Sequence, residues 1–152
     1  MYGEVLAIGT ELLMGEIVDT NSAFIAQRVP EFGIEIRHVT LVGDNMEDMV
    51  ESITKGINRS QILFVTGGLG PTEDDLTRES IAKALGEELH LDQELLNQIQ
   101  SFIEGRGGTM PPSNAKQASI CPAVTILPNS RGTAPGWWVE KNGCVIVAMP
   151  GV

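Results

Sequence analysis

The sequence predicts an α/β domain built on a largely parallel sheet, with antiparallel character added towards its C-terminal end. Three observations lead there. Short apolar runs alternate with helical patterns in strand–helix order from residue 5 to residue 85. Each of the three runs stops at glycine or small polar residues followed by a carboxylate. Residues 137–149, WWVEKNGCVIVAM, then read as two strands about a turn at residues 141–143, a β-hairpin signal. Right-handed crossovers put the loops after Ile8, Val42 and Val65 on one sheet edge, where open α/β sheets bind ligands.

Taken in order, residues 5–8 form a buried-looking first strand ending at Gly9, Thr10 and Glu11. LLMGEIVDTN is loop-like through Gly15 and Asp19. Asp19, Thr20 or Asn21 offers an N-cap for a helix with Phe24, Ile25 and Val29 on its apolar face, closed by Pro30 and Gly33. Residues 34–42, IEIRHVTLV, alternate and are rich in β-branched side chains, a strand signal. A second helix over residues 46–58 aligns Met46, Met49, Val50, Ile53 and Ile57 in one stripe. The strand at residues 62–65 follows, then TGGLGPTEDDLT, with Thr72 or Thr77 as candidate N-caps for a helix carrying Ile81 and Leu85.

Residues 91–106 predict a helix capped by Asp92, with Leu95, Leu96, Ile99, Phe102 and Ile103 on one face. Pro111 and Pro112 open a turn and a short helical piece through Ala118. Residues 124–127 are strand-like, and NSRGTAPG at residues 129–136 is a small-residue loop. Trp137 and Trp138 must face opposite sides of their strand. One belongs to the core; the other belongs to a rim, a partner surface or a base-stacking platform.

The chain of 152 residues is long enough for one well-buried domain and short for two, and no linker divides it, so residues 1–152 are read as one domain. Its ending MPGV, just past a buried-looking strand, looks like a cut from a longer protein. A formal charge of −10 without any Lys/Arg cluster argues against nucleic acid or an anionic membrane as partner. No apolar run approaches the ~20 residues that span a bilayer, and no basic region precedes the first apolar stretch, a cytoplasmic pattern. Cys121 and Cys144 are too few and too far apart for a zinc ribbon or redox pair, and His38 and His90 lack metal-site spacing.

The chemistry concentrates in residues 62–85. Gly67, Gly68 and Gly70 permit positive φ and close approach of a ligand to the backbone, and a helix start beside them favours an anion such as phosphate. Glu73, Asp74 and Asp75 would repel that phosphate unless a divalent cation lay between, which points to magnesium or manganese chemistry. The acids have a plainer reading as complements to a helix dipole. Carboxylates at three matched strand ends, Glu11 after Thr10, Asp44 before Asn45 and the acids of the glycine turn, favour a metal and phosphate site. The glycine spacing is neither a P-loop nor GxGxxG.

Six segments in this order, IGTELLMGEIVDTN, VGDN, TGGLGPTEDDLT, MPPSNAKQA, NSRGTAPG and MPG, resemble the N-terminal domain of the CinA (competence/damage-inducible) proteins. That domain falls within the molybdopterin-binding family of MoaB, MogA and gephyrin-type domains. The resemblance implies a three-layer α/β sandwich and metal-dependent hydrolysis of ADP-ribose to AMP and ribose 5-phosphate. The competing classes are a molybdopterin- or nucleotide-binding module and a molybdopterin adenylyltransferase-like protein. It further implies Asp75 and Asp44 as catalytic carboxylates, with a divalent ion (Mg, Mn or Co) on Asp44, Asp75, Glu11 and Asp74. Thr10, Gly67, Gly68, Gly70, Thr77, Asn114, Thr133 and Gly136 would bind substrate, a phosphorylated nucleotide or pterin. A homo-oligomer is implied, and in complete relatives a C-terminal deamidase domain that this chain lacks.

Overall fold

Side chains alternate across a strand, and in this chain both sets are apolar. The computed structural model describes residues 1–151. Its strands are β1 (Tyr2–Ile8), β2 (Glu35–Val42), β3 (Ile62–Thr66), β4 (His90–Leu91), β5 (Ser119–Ile120), β6 (Val124–Leu127), β7 (Gly136–Lys141) and β8 (Cys144–Met149). The helices are α1 (Thr10–Leu13), α2 (Thr20–Arg28), α3 (Met46–Arg59), α4 (Thr77–Leu85) and α5 (Gln93–Glu104), with 3₁₀ segments at Val29–Phe32 and Pro112–Ala118. Leu6, Ile8, Leu63, Val65 and Ile146 pack on one face of the sheet, and Val5, Ile62, Phe64 and Val147 on the other. Strands apolar on both faces must be covered on both, so the domain has three layers.

Six strands form the main sheet in the order β2-β1-β3-β8-β7-β6. The first four run parallel, and β7 is antiparallel to both β8 and β6. The β7–β8 turn carries Asn142 and Gly143 at φ 51 and 78, the double positive φ that a two-residue hairpin requires. Chain order places β2 on one side of β1 and β3 on the other. The sheet therefore has a topological switch between the carboxyl ends of β1 and β3, the place where such folds open a crevice.

Caps start the covering helices. Asn45 accepts from Glu47 and Asp48 N–H at 3.0 and 3.1 Å to begin α3, Asp19 from Ser22 N–H at 2.9 Å to begin α2, and Asp92 from Leu95 N–H at 2.7 Å to begin α5. Helix α3 buries Met49, Ile53 and Ile57 against α4 and the sheet, while α2 and the first 3₁₀ segment cover the opposite face with Ile25 and Val29. Helix α5 forms a satellite core with the second 3₁₀ segment, using Leu95, Ile99 and Ala118 with Ile126 of β6 packed against them. Trp137 is fully buried and Trp138 is 37% exposed, so the pair divides as strand geometry requires.

Three sequence expectations change. The stretch after β1 opens with the single helical turn α1, because Leu12 and Leu13 N–H both reach the Gly9 carbonyl, at 3.1 and 3.4 Å. The helix expected over residues 91–106 starts later, since Leu91 pairs with Ser119 in the small β4–β5 ribbon. Neither Thr72 nor Thr77 caps α4: Leu76 occupies that position without a side-chain bond, and Thr77 Oγ1 donates instead to the Gly67 carbonyl at 2.8 Å. Among the described residues that carbonyl accepts no other hydrogen bond, and it takes the hydroxyl. Among the described residues no helix is long and apolar enough to cross a membrane.

Ile53 has no exposed surface and stands between two helices and the sheet. We expect Ile53→Ala to cost about 2–5 kcal/mol in urea unfolding. A loss below about 1 kcal/mol would contradict a close-packed α3–sheet interface.

Candidate functional site

The turn after β3 is held so that its carbonyls point one way. Thr77 binds two of them, Gly67 through its hydroxyl at 2.8 Å and Gly68 through its backbone N–H at 3.1 Å. Arg78, fully buried in the first turn of α4, donates from Nη1 to the Leu69 carbonyl at 2.6 Å and from Nη2 to that of Gly70. Gln117 Nε2 adds a longer bond to the Leu69 carbonyl, 3.5 Å, and Lys116 Nζ reaches that of Thr72 at 2.8 Å. Among the described residues the N–H groups of Gly68 and Leu69 make no hydrogen bond, and both residues border the cavity above. A peptide plane whose oxygen is tied down on one side presents its N–H on the other, which is how a backbone nest for an anion is built.

This conformation needs glycine at two positions. Gly67 and Gly68 have φ of 92 and 66. A Cβ on Gly67 would lie 2.3 Å from the Ile8 carbonyl, and one on Gly68 2.2 Å from Thr77 Oγ1. The close approach is thus to the chain itself, at the switch between β1 and β3, as well as to the cavity.

The cavity has a volume of about 1000 Å³ and sits at the carboxyl ends of the parallel strands, where Ile8, Thr66 and Pro150 meet it. Of the residues expected in the site, Glu11, Asp44, Gly67, Gly68, Gly70, Asp74, Asp75 and Thr133 border it. Four do not. Thr10 is exposed beside Asp44 and orients it, donating from its N–H and hydroxyl to Asp44 Oδ2, both at 2.9 Å. Thr77 is buried under the glycine turn. Asn114 is buried in the second 3₁₀ segment and donates to Gln117 Oε1 at 2.9 Å, so it supports a lining residue. Gly136 begins β7, where a Cβ would meet the Ala148 carbonyl at 2.8 Å; close strand packing explains that glycine.

Arg78, Gln117 and Arg131 were missed. Arg131 is the one basic side chain lining the cavity among the described residues, and it projects from NSRGTAPG, where a lone arginine among small residues was the available signal. In sequence nothing separates Arg78 from an exposed helical charge.

Asp75 is partly buried, and burial alone would raise its carboxyl. Hydrogen bonds from the Thr72 hydroxyl, at 2.5 Å, and from Thr72 and Gly70 N–H, with the Arg78 charge, outweigh burial and hold it below the ordinary carboxylate range. For Arg78 burial dominates and lowers the guanidinium, opposed by Glu79 and Asp75. An arginine nevertheless stays charged at any working pH. Among the described residues no three Asp, Glu, His or Cys side chains converge as a metal-binding group. The donor set instead suits a hard divalent ion held by one or two carboxylates, water and a ligand's phosphate oxygens.

Residues 4–152 match the family described as probable molybdopterin binding domain. A CinA-like protein of Thermomicrobium roseum is 49% identical over 152 residues, covering all of this chain. The chain spans 37% of that relative's length. Among solved structures, CinA of Thermoplasma acidophilum, described as of unknown function, superposes with a TM-score of 0.91 at 32% identity over 99% of this chain and 88% of that one. MogA superposes with a TM-score of 0.64 at 16% identity over 100% of this chain and 85% of the other, a likeness of fold.

Two outcomes test this geometry. Arg78→Met leaves the Leu69 and Gly70 carbonyls without their charged donor; we expect a loss of about 1–3 kcal/mol for each one stranded, read by chemical denaturation. Because Asp75 has a folded pKa below its unfolded value of about 3.8, its contribution is full above that value and disappears as pH falls through the folded pKa. Asp75→Asn should therefore lose less stability than the parent between about pH 5 and pH 2. Parallel acid-unfolding curves would contradict the assignment.

Proposed function

The chain belongs to the probable molybdopterin binding domain family, among its CinA-like members, and from that premise we propose that it is a binding module for a phosphorylated pterin or nucleotide. The observation that carries this reading is the glycine turn: its carbonyls are tied to α4 and the second 3₁₀ segment, and the Gly68 and Leu69 N–H groups are free at the cavity. In a chain of net charge −10 an anion needs such local donors. Arg131, on the loop that also lines the cavity, supplies a cation with two-pronged geometry for phosphate oxygens. Asp44, Asp74, Asp75 and Glu11 line the same space without converging on one point, so a divalent ion (Mg, Mn or Co) held by one or two of them would offset their repulsion of a phosphate. When bound, such an ion supplies charge neutralisation and polarises phosphoryl oxygens.

A second reading, hydrolysis of ADP-ribose to AMP and ribose 5-phosphate, is favoured by one feature. Asp75 is held ionised and Asp44 is oriented by Thr10 on the cavity that contains the free N–H groups. In that reaction water attacks one phosphorus, a carboxylate takes its proton, and the diphosphate P–O bond breaks with the leaving phosphate carrying the electron pair. The free N–H groups would stabilise the charge developing on the phosphoryl oxygens.

Calorimetric titration of the purified chain with pyrophosphate and ADP-ribose, with and without Mg, Mn or Co, separates these readings. We expect binding strengthened by the metal and weakened about tenfold or more by Arg131→Ala, the scale of one charge-assisted hydrogen bond. Absence of binding under every condition would sink the module reading. Formation of AMP that Asp75→Asn abolishes would establish the hydrolase, and adenylation of molybdopterin from ATP would favour the transferase class. We also propose a homo-oligomer, since the edge strand β2 exposes Val39 and Leu41; light scattering reads this directly.

A further inference from the structure

The loop that carries Arg131 borders two hollows. Asn129, Gly132 and Thr133 line the large cavity over the glycine turn, and the same three residues line a second, smaller cleft of about 180 Å³. Its other walls are Leu95, Ile99 and Phe102 of α5, Ile126 of β6, and Pro128 and Pro135 at the two ends of the loop. We propose that this cleft receives the flat heteroaromatic ring, pterin or nucleobase, of the ligand whose phosphate sits on the glycine turn. The inference rests on the binding reading above and names the subsite for the ligand's other end.

Size, wall chemistry and continuity converge on this assignment. Whole small-molecule ligands fill roughly 300–1,000 Å³, so a cleft of about 180 Å³ has room for a single ring system and not for an entire nucleotide. Leucine, isoleucine, phenylalanine and proline walls suit the faces of a ring, which gain from burial and stacking. The Phe102 ring is already backed by the Arg106 guanidinium, 3.6 Å from its centroid, which braces it from one side.

Edges of a heteroaromatic ring need polar partners, and the cleft has them at its border. Gln98 lies exposed on α5, and among the described residues its amide has no partner, whereas Gln93 and Gln100 of the same helix bond to Asn97 and Glu104 at 3.0 and 2.8 Å. Thr133 offers a hydroxyl from the shared wall. Asn129 is committed to the wall itself: its Oδ1 accepts from Arg131 N–H and its Nδ2 donates to the Ala134 carbonyl, each at 2.9 Å. These bonds order a loop that brings the phosphate-facing arginine and the ring cleft within one short segment. A ligand with phosphate at one end and a ring at the other meets both, and inorganic phosphate meets only the first.

The test compares ligands that differ by the ring. AMP is titrated against ribose 5-phosphate, and 6-hydroxymethylpterin diphosphate against pyrophosphate, with the full chain and with Gln98→Trp, an exposed helix position whose indole would fill the cleft. We expect at least one ring-bearing ligand to bind about tenfold or more tighter than its ringless partner, the scale of one stacked ring. Gln98→Trp should erase that difference and leave pyrophosphate affinity unchanged. Equal affinities within both pairs, or a difference that survives Gln98→Trp, would overturn the ring subsite while leaving the phosphate site standing. If pyrophosphate and all the others fail to bind, the phosphate reading falls and this inference with it. Amide chemical shifts give an independent arm: the ring-bearing ligand should move the signals of Leu95, Ile99 and Phe102, which the ringless one should not, and shifts confined to the glycine turn in both cases would also overturn it.

Discussion

A buried arginine without a carboxylate partner is the constraint on which the rest of this site depends. Arg78 has no exposed surface and spends its charge on the carbonyls of Leu69 and Gly70. Burying a cation is costly unless its hydrogens are satisfied by strong acceptors, and aligned peptide oxygens are the acceptors available there. Those bonds fix the end of the turn, and Thr77 beside Arg78 claims the Gly67 and Gly68 carbonyls, so the N–H groups of Gly68 and Leu69, on the other side of those two peptide planes, are left without a partner among the described residues. The positive φ values of Gly67 and Gly68, the buried hydroxyl of Thr77 and the reach of Gln117 and Lys116 are further supports of that one orientation.

The sheet supplies the place for this device. Because β2 and β3 lie on opposite sides of β1, the chain leaves the carboxyl ends of β1 and β3 in diverging directions, and a crevice opens between them. Acids come to it from three loops, and each is restrained differently: Asp44 by both donors of Thr10, Asp75 by Thr72 and Gly70, Glu11 by its place in the single turn α1. The cavity thus combines unpaired backbone N–H donors with anionic side chains, a pairing that would accommodate a phosphate only with a divalent ion beside it, as the binding reading proposes. Helix α5 and the small β4–β5 ribbon lie outside this core arrangement. They build the satellite cluster against which the second cleft is formed.

Much of this was legible from residue patterns because the physics involved is local. Strand alternation, the α3 stripe, the Asn45 and Asp92 caps and the Asn142–Gly143 turn each depend on neighbours within a few positions. Residue type also singled out the glycines and Asp75, which line one cavity. It did not separate residues that border the cavity from residues that serve another residue. Thr10, Thr77, Asn114 and Gly136 stand in the recognised segments, yet they orient Asp44, tie down Gly67, support Gln117 and pack against β8. A motif records that a side chain is needed; it does not record whether the need is the ligand's or the loop's.

What the sequence determined by itself is the α/β class, the order of the main strands and helices without α1 and the β4–β5 ribbon, and the sheet edge on which the large cavity opens, since periodicity and handed crossovers are properties of short segments. Only the tertiary structure decided that Arg78 is buried and points under the turn, that Arg131 enters the cavity, and that α5 closes a second cleft behind the same loop. The reason is physical. A long charged side chain has the same signature in sequence whether it reaches into solvent or under a loop, and its destination depends on packing between segments distant along the chain.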